Sequence, residues 1–349
     1  MGCACFTDDT ARTEDTNRTT MYAVGAAVSS GAEQFSDLDD DEEELQLPEP
    51  NMTFGGFLGR GSHCCVVWAI ETSTGRRIAI KRGMKKTVGA DALLLESKLL
   101  QRLGHPHIVE YYDFKVYPTE VCLYEEYMSG GSLQQMIDAL PPGGMSLDAM
   151  RKFSYQLLLG LQYIHARSIV HCDVKSSNIL IDADGNTKLS DFGSAVVLNS
   201  DGEAVTARQS RLAQDNQRCA TRSLTASWRW DNAGLRGTAY WMAPELLGED
   251  RRVSTAVDIW SLGATVVEML TGKPLFFALG PIPAMTKIAR LKHVEGRCPL
   301  KLPENVDPVL ADFLTRTFVV DPEKRPSATE LLQHPWVAVV TDEQEAHSL

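Results

Sequence analysis

Asp173, Lys175 and Asn178 fall within six positions of one another in the stretch IVHCDVKSSNIL (169–180). These three side chain types suit the transfer of a phosphoryl group. A carboxylate can orient an attacking hydroxyl, an ammonium can neutralise the moving phosphate, and an amide oxygen can share a divalent cation. A second oxygen donor for that cation stands at Asp191, beside a glycine hinge, in KLSDFGSA (188–195). Further upstream, LGRGSHCCVV (58–67) carries Gly59 and Gly61, which let backbone amides approach phosphates without obstruction by a Cβ. IAIK (78–81) then sets Lys81 on the next extended run, and Glu96 lies where a carboxylate could hold that lysine in place. Taken singly, each fragment also fits a turn or a solvated charge.

The elements that must position these residues are legible from patterning. VVWAIETSTGRRIAIK (66–81) has two β-rich runs joined at Gly75, which predicts a hairpin. DALLLESKLLQRLG (91–104) carries apolar residues at helical spacing, with Asp91 as the expected cap and Gly104 as the stop. A further extended run is VCLYEEYM (121–128), after which the chain turns helical at 146–168 and 256–272. SATELLQH (327–334) opens with a Ser327/Glu330 capping box. Strands first and helices later predict two lobes of unlike composition.

The net charge of -12 is not spread evenly. Residues 1–50 hold thirteen acids against Arg12 and Arg18, so nearly all the excess lies there and the rest is close to neutral. No basic stripe argues for nucleic acid. Such an acidic segment, with the run DLDDDEEE at 37–44, is expected to be a disordered tail. The eight cysteines show no zinc spacing and read as reduced thiols of a cytoplasmic protein. MYAVGAAV (21–28) is too short to span a bilayer.

In order along the chain stand GRGSHCCV, IAIK, Glu96, HCDVKSSN, DFG (191–193), APE (243–245), DIWSLG (258–263) and DPEKRPSA with Arg325. This set resembles the eukaryotic protein kinases over roughly residues 53–337. The resemblance implies an α+β bilobal fold. A small antiparallel β-sheet lobe with one helix is expected at about 51–127 and a larger, mainly helical lobe at about 128–337. An insert in the activation segment would occupy 194–236, and 338–349 would be a tail. ATP and Mg²⁺ are the implied cofactors. By position, Leu58, Gly59, Gly61, Val66, Ala79, Lys81, Glu96, Glu126, Met128 and Leu180 would form the ATP site, with Lys81 on the α/β phosphates and paired to Glu96. Asp173 would be the catalytic base, Lys175 would steady the γ-phosphate, and Asn178 and Asp191 would hold Mg²⁺. Glu245 and Arg325 would make a buried, structural ion pair.

Lys175, two places after the aspartate, and GTAYWMAPE (237–245) resemble the serine/threonine type. HPHIVEYYD, EYMSGGSL and GTAYWMAPE are most similar to the mitogen-activated protein kinase kinase kinase group. Protein substrates, a downstream MAP kinase kinase among them, are the implied partners of a monomeric enzyme. The rival readings are a catalytically weak pseudokinase serving as a scaffold and a small-molecule phosphotransferase. Loss of Lys81, Asp173 or Asp191 would favour the first, and absence of APE and DIWSLG the second; all are present.

The sequence departs from the family pattern at several places. Cys172 replaces an arginine that in the family grips an activation-segment phosphate, a contact a thiol cannot make. The expectation is an active site that depends weakly on that phosphorylation; Lys188 could serve as a substitute phosphate partner, and its playing no such part is the other reading. Cys64 takes a glycine position and, with Cys65, reads as an inert thiol. Glu125 falls at the family's gatekeeper position, unless the alignment slips by a residue there. The insert carries Arg208, Arg211, Arg218, Arg222, Arg229 and Arg236, on which the acidic run 37–44 could dock; a plain disordered insert is the other reading. Finally, Gly2 with Cys3 and Cys5 resembles doubly acylated, membrane-attached proteins. Phe6 stands where that motif prefers Ser or Thr, so an unmodified start remains the other reading.

Overall fold

The computed structural model describes residues 49–60, 64–85, 87–141, 144–199, 204–205, 238–247, 252–291 and 298–338. Gly2, Cys3, Cys5, the acidic run, Gly61, the arginines of the insert and the C-terminal tail beyond residue 338 lie outside the described residues.

The first lobe is a five-stranded antiparallel sheet in the order β1-β2-β3-β5-β4. Its strands are β1 (Met52–Arg60), β2 (Cys65–Glu71), β3 (Arg77–Met84), β4 (Tyr111–Val116) and β5 (Glu120–Glu126). The expected hairpin is β2–β3, with Val66 opposite Lys81 and Gly75 in the left-handed region at φ 73°. Gly55 permits a close approach: a Cβ there would stand 2.1 Å from the Trp68 ring. Helix α1 (Val88–Leu100) packs on this sheet through Leu93 and Leu100, which share a core with Val121 and Leu123. Its cap is Thr87, whose side chain accepts from the Ala90 N–H, and not Asp91. Both residue types can cap; Asp91 instead falls in the first turn, where the helix dipole favours a carboxylate. The folded unit also begins earlier than the expected tail boundary of 50. Glu49 accepts from Lys115 Nζ at 2.7 Å and is bonded by Tyr117, which anchors the chain to β4 and its turn.

The second lobe is mainly helical. Helices α2 (Leu133–Ala139) and α3 (Leu147–His165) are capped by Ser132 and Ser146. Short hairpins follow. Strand β6 (Ile169–Val170) pairs with β9 (Val196–Leu198), which in turn pairs with β10 (Ala204–Val205); β7 (Ile179–Ile181) pairs with β8 (Thr187–Leu189). Helix α4 (Ala256–Thr271) is buried on all sides from Ala256 to Met269, as a helix apolar all round must be. Gly263 lets α4 meet helix α6 (Pro308–Thr317), since a Cβ there would stand 2.3 Å from Thr317 Oγ1. Helix α5 (Pro281–Ala289) precedes α6, and α7 (Ala328–Leu331) follows it, opened by the Ser327/Glu330 capping box. Among the described residues no helix is long and apolar enough to cross a membrane.

Candidate active site

Strand β3 delivers Lys81 to the inner side of the first lobe, and α1 brings Glu96 to meet it. Lys81 Nζ donates to Glu96 Oε1 at 2.6 Å. The same carboxylate oxygen accepts the Phe192 N–H at 3.0 Å, so Glu96 also ties the helix to the DFG segment. A second acid approaches the lysine: Glu125 Oε2 lies 3.3 Å from Nζ. Burial works against the charge of Lys81, yet Glu125, Glu96 and Asp191 together raise its pKa well above the usual value. Burial raises the pKa of Glu125, with Lys81 pulling the other way. Glu125 pairs with Ala79 across β3 and β5.

The loop after β6 holds the second group. Lys175 Nζ donates to Asp173 Oδ2 at 2.7 Å, and Asn178 Nδ2 donates to the same oxygen at 2.8 Å and to the Asp173 carbonyl at 2.9 Å. His171 braces this loop. Its Nδ1 accepts the Asp173 N–H at 3.3 Å, which leaves Nε2–H to donate to the Ser190 carbonyl at 3.0 Å. Asp191 follows with φ 62°, a left-handed conformation that is uncommon for a residue with a Cβ. Burial opposes its ionisation, but Lys81, Lys175 and His171 hold its carboxyl below the usual range. An ionised carboxylate, and an amide whose nitrogen is already committed to Asp173, offer hard oxygens. That donor set fits Mg²⁺, which keeps waters and phosphates as its other ligands.

The remaining expected ATP-site residues divide between the lobes. Leu58, Gly59, Val66 and Ala79 sit on β1 to β3, each at least partly exposed; Met128 is buried after β5, and Leu180 is partly exposed on β7. The Glu126 carboxylate is occupied elsewhere: Lys188 Nζ donates to both of its oxygens at 2.8 Å. This corrects the expectation for Lys188. It braces the end of β5 against β8, so its ammonium is committed to a carboxylate and not held for a phosphate. Burial pushes the Cys64 thiol up to about 11, in keeping with an inert side chain at neutral pH. Arg325 and Glu245 do form the expected buried pair, Arg325 donating from Nη1 at 2.7 Å and from Nη2 at 3.0 Å.

Two contributors escaped the sequence reading. Asp258 accepts from the backbone N–H of both His171 and Cys172, at 2.8 and 2.9 Å. Glu268 lies fully buried beside the loop, accepting from Trp241 Nε1 at 3.1 Å with Ser176 Oγ 2.9 Å away. Acids on an otherwise apolar helix were the available signal for both.

A sheet lobe and a helical lobe that bring together a lysine–glutamate pair, a DFG segment and an Asp–Lys–Asn loop have the fold and site of the protein kinase class. The protein kinase domain model matches residues 52–337, and the chain belongs to that family. It is similar to the cytokinesis protein sepH of Aspergillus terreus, 34% identical over 283 residues that cover 81% of this chain and 18% of that protein. The mitogen-activated protein kinase kinase kinase YODA of Arabidopsis thaliana is 32% identical over 289 residues, covering 81% of this chain and 29% of its own length. The serine/threonine-protein kinase PAK mbt of Drosophila melanogaster is 34% identical over 291 residues, 83% and 40% of the two chains. The chain therefore spans less than half the length of each of these three curated relatives.

Proposed function

We propose that this chain is a serine/threonine protein kinase that moves the γ-phosphoryl group of ATP to protein hydroxyls. The observation that carries this reading is the intact pairing in both lobes, Lys81 with Glu96 at 2.6 Å and Asp173 with Lys175 at 2.7 Å. In the reaction the substrate oxygen bonds to the γ-phosphorus as the bond to the β-bridging oxygen breaks, and ADP leaves. Asp173 orients the hydroxyl and takes its proton. Lys175 stabilises charge on the transferring group, and Lys81, held by Glu96, binds the α/β phosphates. Asn178 and Asp191 would hold Mg²⁺, which would supply positive charge to offset that of the phosphates.

The resemblance to YODA supports a place in a MAP kinase-type cascade, with a downstream MAP kinase kinase as substrate. The reading also takes the enzyme to act as a monomer. The reading extends to a cytoplasmic enzyme attached to membrane by acyl chains on Gly2, Cys3 and Cys5. Labelling with a myristate analogue, lost in Gly2→Ala, tests that part. The activity itself is tested by incubating the protein with Mg²⁺, γ-labelled ATP and a generic protein such as casein. Label on serine and threonine is expected. Nucleotide binding without any transfer would favour the scaffold reading instead.

A further inference from the structure

Phe277, Leu279 and Ile282 are exposed at 51%, 46% and 55%, three large apolar side chains within six positions. A single exposed leucine needs no explanation, but large apolar side chains left together at a surface mark an interaction site. The backbone is strained to hold them there. Phe276, just before the group, sits in the left-handed region at φ 56°, an outlier for a bulky residue, and Gly280 follows at φ 77°. The turn leads into α5, whose Ala284 and Ile288 face the core while Ile282 stays outside. The rim of this face is cationic. Lys273 Nζ stands 5.3 Å from the centre of the Phe277 ring, and Lys287 Nζ 4.4 Å from that of Phe276. From residue 269 to 294 the chain carries Lys273, Lys287, Arg290 and Lys292 and no acid, although the chain as a whole has a net charge of -12.

The face also adjoins the reacting loop. The Phe277 ring lies 5.9 Å from that of Tyr240, and Tyr240 lies 6.0 Å from Trp241. Trp241 Nε1 in turn donates to Glu268, which also accepts from Ser176 in the loop that holds Asp173. An apolar face ringed by cations fits one kind of occupant, a peptide segment whose apolar side chains stand among aspartates and glutamates. A basic segment would be repelled, and a nucleic acid would leave the apolar side chains uncovered. Because the face continues into the reacting loop, a protein that carries such a segment is held where its hydroxyls can meet Asp173. We propose that the surface formed by Phe277, Leu279 and Ile282 is a docking site for an acidic, apolar segment of the protein substrate, distinct from the serine or threonine that accepts the phosphate. This rests on the reading of the chain as a protein kinase.

The test starts from casein labelled by the full chain with Mg²⁺ and ATP, from which an acceptor peptide is copied around a labelled serine or threonine. The peptide is made alone and joined, through a flexible glycine–serine linker, to a segment of alternating glutamate and leucine. A third version carries lysine in place of each glutamate. The glutamate–leucine segment should lower KM for wild type about tenfold or more at unchanged kcat, because a second contact tethers the acceptor. The lysine–leucine segment should give no such gain. Leu279→Ser/Ile282→Ser and, separately, Lys287→Glu should abolish the gain while kcat and KM for the acceptor alone stay close to wild type. Equal KM values for all three peptides with wild type overturn the proposal and leave the kinase reading standing. A gain that survives in both variants does the same, since the segment then binds elsewhere. So does a wild-type dimer, seen by sedimentation, that the double variant dissolves, because a second copy then covers the face. Casein left unlabelled by wild type removes the kinase reading and this inference together. Unfolding midpoints establish that each variant is folded. Lys287 is exposed, so its variant alone decides the matter if the double variant does not fold: an undiminished gain overturns the proposal.

Discussion

Asp258, near the start of α4, accepts the backbone N–H of Cys172 through Oδ1 at 2.9 Å. Its other oxygen accepts from the His171 N–H at 2.8 Å and faces His165 Nε2 at 2.9 Å. Cys172 is held at φ 64°, with its thiol turned into the fold and pushed well up in pKa by burial and by Asp258 and Asp173. The shape of the reacting loop is thus fixed by bonds from its backbone to a buried carboxylate. None of them uses the side chain at position 172. An arginine can be replaced there without disturbing Asp173.

Cys172→Ala should accordingly keep phosphoryl transfer within about threefold of wild type, a change of under 1 kcal/mol in the barrier. Asp258→Ala, which strands two buried N–H groups, should cost on the order of 3 kcal/mol of stability. With no cation at 172 to meet an activation-segment phosphate, phosphatase-treated enzyme should retain most of its activity. Phosphoryl-transfer rates before and after treatment check this, and loss of nearly all activity would contradict it.

The Arg325–Glu245 pair should matter for stability and not for chemistry. The Arg325 side chain is fully buried and also donates to the carbonyls of Val319 and Ala256, at 2.8 and 2.6 Å. Arg325→Ala leaves Glu245 without its counter-charge and should cost about 3–5 kcal/mol in urea denaturation. Replacing both partners by apolar residues should cost less than the single change. A loss under about 1 kcal/mol for Arg325→Ala would contradict a structural role.

What the sequence made legible follows from distance along the chain. Asp173, Lys175 and Asn178 are close neighbours, and the chemistry constrains their types as well as their spacing. The β2–β3 hairpin and the Ser327/Glu330 box are likewise local. Contacts that depend on long-range register were readable only where the family resemblance supplied them, as for Lys81 with Glu96 and Arg325 with Glu245. Glu125 reaches Lys81 only because β3 and β5 pair as they do, and Lys188 meets Glu126 across 62 positions. Thr87 and Asp91 are both competent caps, so the start of α1 was decided by packing of Leu93 and Leu100 against the sheet.

Glu268 should make stability depend on pH. Burial raises its pKa from 4.5 to about 7, against the bonds from Ser176 and Trp241. A carboxyl whose pKa is raised on folding gives its full stabilisation below the unfolded value and loses it as pH climbs through the folded one. For this group the window runs from 4.5 to about 7. The shift amounts to at most about 3 kcal/mol. Glu268→Gln loses one acceptor and should be less stable at low pH, but its deficit against wild type should shrink across that window. Denaturation curves at pH 4.5, 6 and 8 measure it, and a deficit that does not change with pH would contradict the account.

The most direct test compares wild type with Asp173→Asn for two properties of the same chain, Mg²⁺-dependent ATP binding and transfer of label from γ-labelled ATP to a protein substrate. The account predicts that the variant binds ATP within a fewfold of wild type while transfer falls by about 100-fold or more. Transfer that survives the substitution, or a wild-type protein that binds ATP and transfers nothing, would contradict it.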